Sequence, residues 1–238
     1  METSGKYGSK LLIMDKVYKV YDGDAHCLWR SPVVVNEQEE MIAQLGRAHR
    51  HFKNTFTGFD SSLKREGGVT IGSLPDLLNV SDERQEDKQF LDSEKNFSGY
   101  RFYNLFALTA PSPLFWQLYR DIQTVVRTTL AHDEPLFMQC WMNYHTPDQV
   151  LQWHDHKFPY HGYVSIDPKN TTTKFRNGED PVLYEINNEV GNIYFGAAPG
   201  RYHKVFVNDD FGGRRITLGF DIVETPDLPD DQFSLIPI

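Results

Sequence analysis

Cysteine is nearly absent from this chain. Cys27 and Cys140 stand far apart and outside any C-x-x-C spacing, which argues against a disulfide framework and suits a reducing compartment with both thiols packed. Long uncharged apolar runs are missing too, and Met1–Lys6 lacks the apolar stretch of a signal peptide. A cytoplasmic protein with no membrane partner is therefore expected. Positive charge is in short supply: 24 Lys and Arg against 33 Asp and Glu give a net charge of −9. No basic cluster offsets that balance, so nucleic acid is not the expected partner. Repeats and low-complexity segments are lacking as well.

What is present is aromatic. Aromatic residues make up 13% of a chain that is 39% hydrophobic and 24% charged, which favours a soluble, β-rich core packed with large side chains. The 238 residues fit a single domain, 1–238. Three parts are expected: a strand and helix extension over 1–133, a core over 134–224 and a tail over 225–238.

Within the extension, residues 10–35 alternate around Asp22-Gly23-Asp24 and predict one or two strands. Asn36 with Glu39 three residues on predicts a capped helix carrying Met41, Leu45 and Ala48 on one stripe. Residues 60–98 read as turn, short apolar patch and solvated charged stretch, and Gly99–Leu108 as strand-like. Ser112-Pro113 opens a clearer helix, with Phe115, Leu118, Tyr119, Ile122, Val125, Val126 and Leu130 at helical spacing. That stripe reads as the face packed on a sheet.

From Glu134 the character changes. Eight short strands are predicted: Leu136–Tyr144, Val150–His156, Tyr160–Asp167, Thr171–Arg176, Val182–Asn187, Asn192–Ala197, His203–Asn208 and Arg214–Val223, each bounded by Gly, Pro, Asn or Asp. Eight strands at this spacing predict a mainly β fold with flanking helices and a double-stranded β-helix (jelly roll, cupin-like) core.

The chemistry sits on those strands. In Trp153-His154-Asp155-His156, alternation points both imidazoles one way and Asp155 the other. His203, at the start of the seventh strand, is expected beside them, so three imidazoles would cap adjacent positions of one metal ion. Arg215 and Thr217 share a face of the last strand, where a guanidinium with an adjacent hydroxyl matches a carboxylate. Arg214 is the competing inward arginine by pattern. Trp153 and His161 are possible pocket residues, whereas His49 and His51 on a predicted helix read as surface residues.

Residues 134–223 resemble the iron(II)- and 2-oxoglutarate-dependent oxygenases. Asn143-Tyr144 is similar to the Asn-Tyr that opens the metal-binding half of that core. His154-Asp155-His156-Lys157-Phe158-Pro159 and Gly162-Tyr163-Val164-Ser165-Ile166 resemble a subgroup whose first motif is His-x-His. Gly191-Asn192-Ile193-Tyr194-Phe195, then His203, then Arg215-Ile216-Thr217-Leu218-Gly219-Phe220-Asp221, is similar to the closing half. The resemblance implies iron(II) on His154, His156 and His203. It implies 2-oxoglutarate held by Arg215 and Thr217, with Asn143 and Tyr144 nearby, and hydroxylation of a small molecule or peptidyl residue with release of succinate and CO2. Most of the family carries a carboxylate in the first motif, so His156 is a departure; a bulge turning Asp155 inward is the alternative. Two other readings stand beside this one. Pro199-Gly200-Arg201-Tyr202-His203 resembles a motif of cupin-like three-histidine dioxygenases that need no 2-oxoglutarate, and a non-catalytic jelly roll that binds a ligand is the third.

Overall fold

The structure is a computed structural model and describes residues 16–56, 104–131, 133–147, 153–156, 158–225 and 234–238. The predicted features at 11–14, 60–98 and 150–152 lie outside these residues.

The first described segment is a hairpin, β1 (Tyr18–Asp22) and β2 (His26–Arg30), turning at Asp22-Gly23-Asp24 as the alternation predicts. The chain then becomes helical sooner than expected. Pro32 opens α1 (Pro32–Asn36), and α2 (Gln38–Phe56) follows after Glu37, so Asn36 ends one helix rather than capping the next. β-branched Val33, Val34 and Val35 are helical because a fixed φ at Pro32 starts the turn and tertiary burial outweighs their propensity: Val33 and Val34 are fully covered. The Ser31 hydroxyl donates to Asp121 Oδ2 at 2.6 Å, tying this corner to a later helix.

Asn104 caps a short helix, α3 (Leu105–Leu108), by accepting from the Phe106 amide at 3.1 Å, where a strand was expected from the aromatic pattern. The helix α4 (Pro113–Leu130) matches expectation. Ser112 accepts from the Phe115 amide, Pro113 stands at the first turn, and Ala131 ends the helix in the left-handed region at φ 49°. Its buried stripe is Phe115, Leu118, Ile122, Val125 and Val126.

Seven strands follow: β3 (Phe137–His145), β4 (Tyr160–Asp167), β5 (Thr171–Asn177), β6 (Tyr184–Asn187), β7 (Asn192–Ala197), β8 (Arg201–Val207) and β9 (Arg215–Val223). They correspond to seven of the eight predicted. The exception is Val150–His156, of which residues 153–156 show only a single bridge, His154 to His203. A last strand, β10 (Ile236–Pro237), pairs with β3, so the end of the expected tail joins the sheet.

Two antiparallel sheets result. The larger runs β1-β2-β7-β4-β9-β3-β10 and the smaller β6-β5-β8. The larger sheet has two unlike faces. Met138, Cys140, Met142, Val164, Ile166, Ile193, Phe195, Ile216, Leu218, Phe220 and Ile222 pack with the helices in one core, together with Met41 and Leu45 of α2 and the α4 stripe. Each such side chain, fully buried, contributes about 1.5–3 kcal/mol. The opposite face, reached by stepping one residue, carries Trp141, Asn143 and His145 on β3 and Arg215, Thr217, Gly219 and Asp221 on β9. From β4 come His161, Tyr163 and Ser165. This polar face is where the candidate chemistry lies. Both cysteines are buried and free, and among the described residues no helix is long and apolar enough to cross a membrane.

Candidate metal centre

His154 and His203 are held together by backbone. The His203 amide donates to the His154 carbonyl at 2.8 Å and the His154 amide returns the bond at 3.2 Å. Their rings lie 4.2 Å apart, and the His156 ring stands 5.4 Å from His154 and 5.3 Å from His203. One ligand nitrogen from each of the three falls within 4.8 Å of the others, so the trio fits a metal ion. Asp155 turns away from the trio, and its Oδ2 accepts from the Gly200 amide at 3.1 Å. That contact closes the turn before β8 and leaves the carboxylate outside the trio.

A second carboxylate, Asp221, stands beside the trio. It is 1% exposed, and its Oδ1 lies 2.9 Å from His156 Nδ1 and 3.0 Å from His161 Nδ1. His161, expected only as a possible pocket residue, is buried and stacked on His156 with ring centroids 3.7 Å apart. His156, His161 and Asp221 form another group whose atoms would fit a metal. Trp141 flanks both imidazoles, its ring 5.8 Å from His156 and 6.1 Å from His161.

The electrostatics keep His203 and His161 neutral. Burial, then the neighbouring His154, His161 and His156, holds His203 well below the ordinary histidine range. Burial and His156 lower His161 to about 4. Burial alone would raise the Asp221 carboxyl; the imidazoles, His156 first, outweigh it and hold the group well below the usual carboxylate range. Neutral imidazole offers a lone pair to a metal, and an ionised carboxylate can only accept hydrogen bonds. Among the described residues His156 Nε2 is buried with no hydrogen-bond partner. An orphaned buried nitrogen in a ring of histidines is the chemistry of a ligand set.

Arg215 settles on the same sheet face at 4% exposure. Its Nε reaches Thr171 Oγ1 at 3.4 Å and its Nη1 reaches Thr217 Oγ1 at 3.5 Å, both long for hydrogen bonds. No carboxylate among the described residues pairs with it. Burial lowers its pKa to about 10. Asn143 braces the cluster: its Nδ2 donates to Thr217 Oγ1 at 3.3 Å while Trp141 Nε1 donates to its Oδ1 at 3.1 Å. Ser165, the β4 register partner of Thr217, is buried with an unpartnered hydroxyl. Arg214 faces the other way, over the Tyr144 ring at 5.5 Å.

Three expectations need correcting. Tyr144 is one residue out of phase with Asn143, so it turns toward the helices and stacks on His49 at 4.6 Å, away from Thr217 and Arg215. His49 is accordingly half-buried rather than a surface residue. Trp153 is not in the interior: it lies under the Arg176 guanidinium at 4.3 Å, edge-on to Phe206, on the outer face of the smaller sheet. Two residues were missed. Asp221 shares the parity of Arg215 and Thr217, so extending that alternation would have found it. His145 is the register partner of Arg215, a relation no local pattern reveals.

No family model matches the chain, and no curated protein does. Among solved structures that resemble it is IDO from Bacillus thuringiensis, 13% identical, with a TM-score of 0.37. The match covers 48% of this chain and 57% of that one, little more than half its length. A likeness at that level carries no argument about chemistry, which rests on the site itself.

Proposed function

We propose that this chain is an iron(II)- and 2-oxoglutarate-dependent oxygenase of the hydroxylase type, acting on a small molecule or peptidyl residue. One observation carries the reading. A buried guanidinium with no carboxylate partner among the described residues faces the same intersheet interior as three converging imidazoles. A buried charge is ordinarily paired, so Arg215 is read as a site for a bound anion. The strand order supports a jelly-roll core: β3, β4, β7 and β9 lie in the larger sheet and β5, β6 and β8 in the smaller, with the His154 segment bridged to β8.

In this reading His154, His156 and His203 hold iron(II), which the orphaned His156 Nε2 favours. Iron(II) with 2-oxoglutarate would supply dioxygen activation and the oxidative decarboxylation that yields succinate and CO2. The protein's part is binding and orientation. Arg215 grips the distal carboxylate through its fork of N–H donors, and the Thr217, Thr171 and Ser165 hydroxyls add bonds around it. Asn143 fixes Thr217. Trp141 and Phe175, the latter 5.5 Å from His203, keep the imidazoles out of water.

The test is anaerobic addition of iron(II) and 2-oxoglutarate with visible absorption as the readout. A charge-transfer band that is lost in Arg215→Ala and kept in Asp155→Ala supports the proposal. The same band surviving in Arg215→Ala sinks the anion clamp. Three imidazoles without a carboxylate ligand are the observation that favours a second reading, a cupin-like dioxygenase independent of 2-oxoglutarate. Oxygen consumption that needs iron(II) but not 2-oxoglutarate would select it.

A further inference from the structure

The two histidine groups share His156, and one imidazole has two nitrogens to divide between them. Asp221 Oδ1 takes Nδ1 of His156 at 2.9 Å and Nδ1 of the stacked His161 ring at 3.0 Å. A carboxylate oxygen that meets two ring nitrogens at these distances accepts from both, so both Nδ1 atoms carry hydrogen. In a neutral ring the proton on Nδ1 leaves the lone pair on Nε2. That is the nitrogen of His156 that is buried without a partner.

From this division of labour we infer that Asp221 is the positioning residue of the metal centre. It fixes the tautomer and the ring plane of His156 and returns, from behind the ligand, the negative charge that the His-x-His motif lacks at the ion. His161 is its second anchor. Accepting from two imidazoles sets the carboxylate oxygen along both rings, and the parallel stack at 3.7 Å keeps the His156 ring from flipping. Trp141 lies beside both rings, and Gly219 makes room for it: a Cβ at Gly219 would sit 2.5 Å from the Trp141 indole. Asp221 therefore belongs behind His156 as a carboxylate–imidazole–metal chain, not on the ion. The inference rests on the proposed metal site but is measured without it.

The experiment is long-range proton–nitrogen NMR on full-length, metal-free protein labelled at histidine, above neutral pH, with His156 assigned by its loss in His156→Gln. The expected wild-type result is a single Nδ1–H tautomer at His156 and at His161. Asp221→Asn should lose that single state at His156. With zinc(II) added as a diamagnetic probe, the coordinated nitrogen of His156 should be Nε2 with Nδ1–H retained. Zinc affinity, read by chelator competition, should fall ten- to a hundredfold in Asp221→Asn. An Nε2–H tautomer in the wild type, or zinc on His156 Nδ1, overturns the inference whether or not the variant folds. A wild type that binds no metal would end the functional proposal, while the imidazole tautomers would still decide this one.

Discussion

Arg215→Met separates a binding arginine from a structural one. The side chain is 4% exposed with its pKa lowered by burial to about 10. Against a reference above about 12, at about 1.4 kcal/mol per pH unit, burying the free guanidinium costs on the order of 3 kcal/mol. Its two long contacts to Thr171 and Thr217 offset this by about 1 kcal/mol each at most. Methionine fills a similar volume without charge, so the ligand-free variant should be as stable as the parent or about 1 kcal/mol more so, a rise of roughly 2–4 °C in melting temperature. Binding should move the other way. Removing one side of a buried charge-assisted pair costs about 2–5 kcal/mol, or roughly 30- to several-thousand-fold in affinity for 2-oxoglutarate. Differential scanning fluorimetry without ligand, and calorimetric titration of the metal-loaded protein with 2-oxoglutarate, read the two effects. A variant that melts well below the parent yet binds the diacid equally would refute the reasoning, because Arg215 would then be a structural residue with its partners already in place.

Gly219→Ala should lower stability by about 1–3 kcal/mol and displace Trp141, since the new methyl would lie 2.5 Å from the indole; urea unfolding and tryptophan emission check both, and unchanged emission would count against the packing argument. His145 is buried beside Arg215, Arg214 and His154, and burial first, then those charges, lowers it to about 3. It is therefore neutral when folded but takes up a proton below about 6.5 when unfolded, so stability is full above that pH and falls by about 1.4 kcal/mol per pH unit toward 3. Urea midpoints of the metal-free protein across that interval should show a shallower slope in His145→Gln; an equal slope would remove His145 as the cause.

Much of the core was legible before any coordinates. Period-two alternation located seven of eight predicted strands, and Ser112-Pro113 with its apolar stripe located α4. The same alternation put Arg215 and Thr217 on one face, whereas Asp155 lies in a segment with no regular strand and is held away from the histidines by the Gly200 amide. Asp221 was open to that rule too, two steps beyond Gly219. Helices α1 and α3 were not legible, because valines and aromatics favour strands locally and only burial against α4 and β3 made them helical.

By itself the order of residues determined which side chains share a face, since that depends on strand period alone and survives errors of a residue or two at the ends. It also carried the ligand types and the low positive charge. Only the tertiary structure decided which faces meet. The His154–His203 bridge joins positions 49 residues apart, and the bond of Asp221 to His156 and His161 joins three segments. Register between distant strands sets such contacts, and no local propensity encodes it. The turn of Tyr144 toward α2 and of Trp153 onto the outer sheet face has the same origin: each lies beside a site residue in sequence, and sheet pairing sends it to the opposite side.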